Sequence, residues 1–396
     1  MYERAQVQTI VERLSEEDNP LIQIVVGPRQ TGKSTMIAQA LRRIETVSHY
    51  VSADDAFVRN TDWLSTEWQQ ARNMTHGGER PAILVVDEVQ KIPHWHNVVK
   101  SLWDADRRNL VPLKVVLSGS SSLLLHKGME DSLMGRFELI RSPHWTLSEC
   151  NEAFDFDLDT FLHFGGYPGA ARLVKDEARW RTYMRDAVIE PTIAQDVLEL
   201  ENVRKPALMR QVFALASLYS GQELSYNKML GQLQDAGNTV TIAQYLSLLD
   251  KAGMVAALHK FDPKELKMRR SSPRLMVYDT SLMTAVSSKG RRLLEESDLR
   301  GHLVESAVGA YLLGRSGAEG FDVRWWRKDT DEVDFVLTCG TDVTAIEVKD
   351  GKEKRQSGMG AFLKNYPEAK RIIVGGGSSG ACKLDDFLHG EVGLFW

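Results

Sequence analysis

Residues 27–34, Gly27-Pro28-Arg29-Gln30-Thr31-Gly32-Lys33-Ser34, fit the pattern G-x-x-x-x-G-K-[ST] without a gap, and an apolar run, Leu21 to Val26, leads straight into them. Glycines at this spacing let backbone N–H groups close around nucleotide phosphates, a lysine can reach the outer phosphates, and a serine hydroxyl can hold Mg²⁺. The contacts expected for ATP are therefore Gly27 to Ser34 together with Thr35. A helix predicted over Lys33 to Arg43 would add its positive N-terminal end to the same place.

A second run supplies the other half of such a site. Ile83-Leu84-Val85-Val86 reads as a buried strand and ends in Asp87-Glu88. Phosphoryl transfer needs a carboxylate on Mg²⁺ and a separate group that orients the attacking water, which assigns Asp87 and Ser34 to the metal and Glu88 to the water. ATP and Mg²⁺ are the expected cofactors, and ATP hydrolysis the expected reaction.

These residues need elements to hold them. From Leu21 to about Arg141 apolar strand candidates alternate with helical stretches, among them Tyr50–Ser52, Trp63–Arg72, Val98–Asp106 and Lys114–Ser118. That alternation predicts a parallel sheet with crossover helices. With 396 residues, the chain has room for two to three domains. Its 43% hydrophobic and 26% charged residues are near the globular average, and no stretch approaches the roughly 18 apolar residues of a membrane helix. The first eight residues lack an apolar signal core, and the three cysteines, Cys150, Cys339 and Cys382, are scattered. A cytoplasmic protein without a disulfide framework is expected. The net charge of -5 means that any nucleic-acid surface must be local.

Glycine and proline crowd together at Phe164-Gly165-Gly166-Tyr167-Pro168-Gly169, which reads as a loop between domains. The charged stretch Asp176 to Glu199 reads as a solvated helix. Three helices are then predicted, Pro206–Tyr219, Ser225–Leu233 and Thr239–Lys251, followed by the strand-like Met254 to Leu258. Helix, helix, short turn, helix and strand is the layout of a winged helix-turn-helix, with Thr239 to Lys251 at the recognition position. Lys264, Lys267, Arg269, Arg270 and Arg274 fall at the wing, where clustered cations suit DNA phosphates. Winged helices also serve as protein-interaction lids, and Thr239–Lys251 carries few cations to read bases.

In the last part, a helix from His302 to about Leu313 precedes strand candidates at Asp322–Arg327, Glu332–Thr338 and Val343–Lys349, then a helix at Gly358–Asn365 and a strand at Arg371–Val374. Period-two geometry places Glu347 and Lys349 on one face of their strand. Trp325-Trp326 reads as core and edge packing more readily than as a base-stacking platform.

Several of these segments resemble known families. Val115-Val116-Leu117-Ser118-Gly119-Ser120-Ser121 resembles the sensor strand of AAA+ ATPases, with Ser118 as the sensor. Ser132-Leu133-Met134-Gly135-Arg136-Phe137 resembles the Gly-Arg segment of that family, which implies that Arg136 reaches a neighbouring subunit's nucleotide; Arg141 is the alternative. Glu305, Asp334, Glu347 and Lys349, in the order helix, strand, strand, resemble the PD-(D/E)xK nuclease superfamily, although Val333 stands where that superfamily usually has proline. The resemblance implies Mg²⁺ on Asp334 and Glu347 with support from Glu305, and Lys349 beside the attacking water.

From end to end the chain resembles a bacterial and archaeal group of AAA+ ATPases with a winged-helix middle and a nuclease-like C-terminal domain. Gly-Pro-Arg-Gln-Thr-Gly-Lys at 27–33, Asp-Glu-Val-Gln-Lys-Ile-Pro at 87–93, Gly-Gly-Tyr-Pro at 165–168 and Pro-Arg-Leu-Met-Val-Tyr-Asp-Thr-Ser-Leu at 273–282 carry it. The expected fold class is α/β: an AAA+ P-loop NTPase parallel sheet over 1–150, a helical linker or lid over 151–200, a winged helix-turn-helix over 201–285 and an α/β PD-(D/E)xK-like domain over 286–396. The resemblance further implies a homo-oligomeric ring, a hexamer being one form. Two functions compete. One is an ATP-driven machine that remodels or moves DNA, branched DNA included, with a C-terminal domain that recognises or cuts it. The other is a nucleotide-controlled signalling switch whose remaining domains bind protein partners.

Overall fold

The computed structural model describes residues 2–17, 20–55, 57, 60–119, 133–198, 203, 205–235, 237–262, 272–350, 357–376 and 380–396. It divides into two compact units, Met1–Pro143 and His144–Trp396. The divisions expected at residues 200 and 285 fall inside the second unit.

The first unit is built on five strands, β1 (Ile22–Val26), β2 (Val47–Ser52), β3 (Ala82–Asp87), β4 (Leu113–Gly119) and β5 (Phe137–Arg141). Their order across the sheet is β2-β3-β4-β1-β5, and every neighbouring pair is parallel. Every residue of β1 and β3 is buried, as strands covered on both faces require. Side chains alternate between two cores. Ile22, Ile24, Leu84, Val86, Val115 and Leu117 pack on one face with Leu64, Trp68, Trp95 and Val99 of helices α3 (Thr61–Asn73) and α4 (Trp95–Arg108). Val25, Ile83, Val85 and Val116 pack on the other with Val7, Ile10, Met36 and Ile37 of α1 (Ala5–Ser15) and α2 (Lys33–Arg43).

The strand inserted between β1 and β3 is β4, which carries Ser118, whereas β2, the strand of Tyr50, lies at the sheet edge. The charged stretch after Asp176 also differs from a solvated helix. It runs as an α-helix over Glu177–Tyr183 and widens into π turns over Met184–Ile189 and Thr192–Leu198. Trp180, Met184, Val188, Ile193 and Val197 are buried along it. Those apolar residues recur at steps of four and five, slightly more than one α-turn, so widened turns keep them on one face.

In the second unit, helices Pro206–Leu218, Tyr226–Gln232 and Thr239–Lys251 are followed by an antiparallel ribbon of β6 (Val255–Leu258) and β7 (Arg274–Val277). Ser225 and Asn238 cap the second and third helices by accepting hydrogen bonds from Lys228 N and Thr241 N at 3.3 and 2.9 Å. The long helix Ser297–Glu319 then leads into β8 (Asp322–Lys328), β9 (Asp331–Cys339), β10 (Asp342–Lys349) and β11 (Lys370–Gly375). Their order is β11-β10-β9-β8, parallel only between β10 and β11, which are joined through the helix Ser357–Asn365. Trp325 and Trp326 are both buried, which removes the stacking-platform reading: Trp326 packs on Phe362, and the Trp325 indole donates to Leu258 O at 3.1 Å.

Candidate functional site

The glycine-rich segment runs from β1 into α2, so the N-terminal turn of α2 opens at the C-terminal end of the sheet's parallel strands, where ligands of open α/β sheets bind. Gly32 takes φ 94° immediately before α2, a conformation only glycine adopts without strain. A Cβ on Gly27 would lie 2.0 Å from Ser142 O, so the backbone can pass there only as glycine. Lys33 donates to Gly27 O at 3.0 Å and Pro28 O at 2.7 Å, folding its ammonium into the loop where outer phosphates would meet it. Arg29 is half-buried, while Gln30, Ser34 and Thr35 are exposed, so the turn presents polar side chains outward.

Asp87, at the end of β3, collects three hydroxyls. Ser34 Oγ donates to Oδ2 at 2.6 Å, Tyr50 OH donates to the same oxygen at 2.7 Å, and Ser118 Oγ donates to Oδ1. The backbone N–H of Glu88 donates to Oδ1 at 3.0 Å. Three strands and the phosphate-loop helix thus converge on one carboxylate. Ser34 and Asp87 form an adjacent pair of hard oxygen donors, a set that fits Mg²⁺ completed by water and phosphate oxygens. Glu88 has φ 55°, an αL backbone just past the end of β3, and Gln90 Nε2 donates to its Oε2 at 2.7 Å.

Two contributors lay outside the sequence reading. Tyr50 belonged to a predicted strand but was given no role; its phenol is held well above its ordinary pKa by burial and then by Asp87, so it stays a hydrogen-bond donor. Arg4, only 3% exposed, sends one guanidinium nitrogen to Thr31 O at 3.4 Å, Ser142 Oγ at 3.2 Å and Pro143 O at 3.0 Å. Thr31 and Ser142 share a further hydrogen bond of 3.1 Å, so Arg4 braces the rear of the phosphate loop. No motif marks either residue, because both act through tertiary neighbours.

Arg136 lies 2.8 Å from Asp104 of α4, and its guanidinium sits 5.7 Å from the Trp103 ring centre. The pair favours its own charged state, raising the arginine's pKa and lowering that of Asp104. Arg136 is therefore engaged within its own chain. Arg141 is exposed at the end of β5.

The second unit brings together part of the expected acid set. Glu305, on the long helix, and Asp334, on β9, meet at Arg274, whose guanidinium lies 2.6 Å from Glu305 Oε1 and 3.4 Å from Asp334 Oδ1. Glu332 of β9 pairs with the same guanidinium. Arg274, expected on an exposed basic loop, is instead 4% exposed at the start of β7, because its charge is matched by these carboxylates. Lys264, Lys267, Arg269 and Arg270 lie outside the described residues. Burial pushes Glu305 up to about 8 against the opposing pull of Arg274 and with a further push from Asp334.

Glu347 and Lys349 lie next to this cluster on β10, and Lys349 Nζ reaches Glu347 Oε1 at 2.5 Å. Asp334 Oδ2 accepts from Val348 N at 2.8 Å, so β9 and β10 hold the two halves side by side. The 690 Å³ cavity at the cluster is lined by Arg274, Glu305, Glu332 and Asp334 but not by Glu347 or Lys349. Among the described residues, no group of three His, Cys, Asp or Glu side chains is arranged to hold a metal ion. The donor set thus does not fit the Mg²⁺ expected there.

Comparison with known proteins gives the following. Residues 19–151 match the AAA domain family, and residues 155–293 and 300–386 match two domains of unknown function, DUF8612 and DUF4143. The uncharacterized protein MJ1637 of Methanocaldococcus jannaschii is 21% identical, over 92% of this chain and 83% of its own. Among solved structures, the Walker-type ATPase PABY2304 of Pyrococcus abyssi aligns over 72% of this chain and 96% of its own, at 15% identity and a TM-score of 0.49. The Aeropyrum pernix Orc1 protein, solved in complex with DNA, covers 72% and 91% at 14% identity and a TM-score of 0.32. The RuvB Holliday junction branch migration motor of Thermotoga maritima covers 67% and 92% at 15% identity and a TM-score of 0.33. No helix among the described residues is long and apolar enough to cross a membrane. The five-stranded parallel sheet, the phosphate loop on β1 and the matched family together make residues 19–151 an AAA-type P-loop nucleotide-binding domain.

Proposed function

We propose that this chain hydrolyses ATP with Mg²⁺ and uses the turnover to bind and remodel or move DNA, branched DNA included, as a homo-oligomer. The observation that carries the ATPase reading is the convergence on Asp87. Ser34 of the phosphate loop and Asp87 of β3 are 2.6 Å apart, with Glu88 beside them to orient water and Ser118 of the intervening strand in contact. Lys33 and the N-terminal turn of α2 would hold the phosphates. Arg136 would leave Asp104 to reach a neighbouring subunit's nucleotide, supplying positive charge to the transferring phosphoryl group.

DNA contact rests on the second unit. Three helices followed by a two-stranded ribbon have the element order of a winged helix-turn-helix, and Lys264, Lys267, Arg269 and Arg270 concentrate charge in the connection between β6 and β7. One observation favours the competing reading of a signalling switch with protein partners: the helix Thr239–Lys251 contains a single cation, Lys251. The test is DNA binding and ATPase rate measured together. Turnover raised by a DNA form supports the motor, and turnover indifferent to every DNA form supports the switch.

A further inference from the structure

We infer that Arg274 is the resident cation of the C-terminal carboxylate cluster, standing where a divalent ion would have to sit, so that this domain keeps its acids closed to Mg²⁺ and does not cut DNA through them. The inference is independent of the ATPase reading, since it concerns only residues of the second unit.

Charge and geometry argue for it together. Three carboxylates, Glu305, Glu332 and Asp334, converge from a helix and a strand on one guanidinium that is 4% exposed. A guanidinium is planar, always charged and offers several N–H donors in a fixed fork, so a single Arg274 can satisfy carboxylates on two elements at once. It also donates to Asp334 O at 3.3 Å, and its flat face lies 5.4 Å from the Trp325 ring centre. An arginine held on edge and face is fixed in position.

The remaining members of the expected nuclease set are engaged elsewhere. Glu347 shares its Oε1 with Lys349, and Asp334 commits Oδ2 to Val348 N. A hard dication needs six or more oxygens at short range, whereas here Glu305 Oε1 and Asp334 Oδ1 face the guanidinium, Asp334 Oδ2 faces an N–H and Glu347 Oε1 faces Lys349, which leaves Glu347 Oε2 as a buried carboxylate oxygen with no hydrogen-bond partner. Bringing Mg²⁺ in would drive Arg274 out and leave its charge unpaired in a buried place, an arrangement that proteins avoid. The same contacts tie β7 to the long helix and to β9, so the arginine acts as a joint between the β6–β7 ribbon and the C-terminal sheet.

Mn²⁺ binding to the full-length chain, followed by electron paramagnetic resonance, tests the assignment in four proteins: wild type, Asp334→Asn, Arg274→Ala and the double variant. Wild type and Asp334→Asn should bind the same number of Mn²⁺ ions, and both should leave supercoiled plasmid intact in Mg²⁺ or Mn²⁺. Arg274→Ala should bind one Mn²⁺ ion more than wild type, and the double variant should lose it. Should Arg274→Ala fail to fold, Arg274→Gln, which keeps donors but no charge, takes its place. A Mn²⁺ ion or plasmid cutting in wild type that Asp334→Asn abolishes would overturn the inference, as would a folded Arg274 variant that gains no ion.

Discussion

Asp279 Oδ2 accepts a hydrogen bond from Gly166 N at 2.8 Å, joining two segments 113 residues apart. Its other oxygen accepts from Ser281 N at 2.9 Å and from the Ser281 hydroxyl, capping the helix Thr280–Val286. A Cβ on Gly165 would fall 1.9 Å from Asp279 Oδ1, and Gly165 itself has φ +67°. The Gly-Gly-Tyr-Pro and Tyr-Asp-Thr-Ser segments are therefore two sides of one buried contact. Gly165→Ala should destabilise the second unit by about 2 kcal/mol or more through strain and collision. Urea unfolding followed by circular dichroism would show a lower midpoint for that unit, and an unchanged midpoint would contradict the contact.

The same aspartate makes a pH prediction. Burial raises Asp279 to about 6, above the 3.8 of the exposed group. The folded state therefore holds its proton over a range in which the unfolded chain has lost it. Its contribution is fully present below pH 4 and falls as pH rises through about 6, by an amount on the order of 3 kcal/mol. Asp279→Asn should flatten that segment of the stability curve between pH 4 and 6. An equal slope in both proteins would show that Asp279 titrates normally.

Tyr50 and Asp87 separate nucleotide binding from hydrolysis. Tyr50→Phe removes one hydroxyl from Asp87 and its contact with the Ser34 hydroxyl, and leaves Lys33 untouched. A lost hydrogen bond of about 1 kcal/mol predicts a roughly fivefold fall in kcat with nucleotide Kd within twofold. Lys33→Ala, by contrast, should lose nucleotide binding outright. Steady-state hydrolysis and fluorescent-nucleotide titration distinguish the two patterns.

Arg136 offers a test of assembly. Its ion pair with Asp104 is part-exposed and contributes little to stability, so Arg136→Ala should fold normally. If the arginine serves a neighbouring subunit, hydrolysis should fall by about 10³-fold. Mixing Arg136→Ala with Lys33→Ala should then recover activity, because a mixed pair contains one complete site. Absence of recovery in a confirmed mixed oligomer would assign Arg136 to the Asp104 contact alone.

What the sequence made legible follows the range of the interactions. The phosphate loop, Asp87 and Glu88 are local patterns, and their strands and helix appear where the apolar periodicity puts them. The ordered carboxylates of β9 and β10 were legible for the same reason. Arg274 was misplaced because a cation beside a run of Lys and Arg looks like a surface charge until its partners, 31 and 60 residues away, are seen. Tyr50 and Arg4 escaped notice because their roles exist only across the sheet and across 138 residues of chain. The buried face of Glu177–Leu198 was hidden by a period wider than the α-helix.

DNA contact through the basic connection carries a salt signature. Neutralising Lys267, Arg269 and Arg270 together should weaken binding and reduce the slope of log K against log salt by about 3, close to one unit per lost phosphate contact. Fluorescence anisotropy at several salt concentrations reads this. An unchanged slope would remove these residues from the DNA interface.

Coupling of ATP hydrolysis to DNA is read from ATP turnover with no DNA and with single-stranded, duplex and four-way-junction DNA, alongside the Glu88→Gln protein. At least one DNA form should raise kcat severalfold in wild type, while Glu88→Gln should bind nucleotide and not turn over. Turnover unchanged by every DNA form, with nucleotide binding intact, would contradict the coupling and leave a nucleotide-controlled switch.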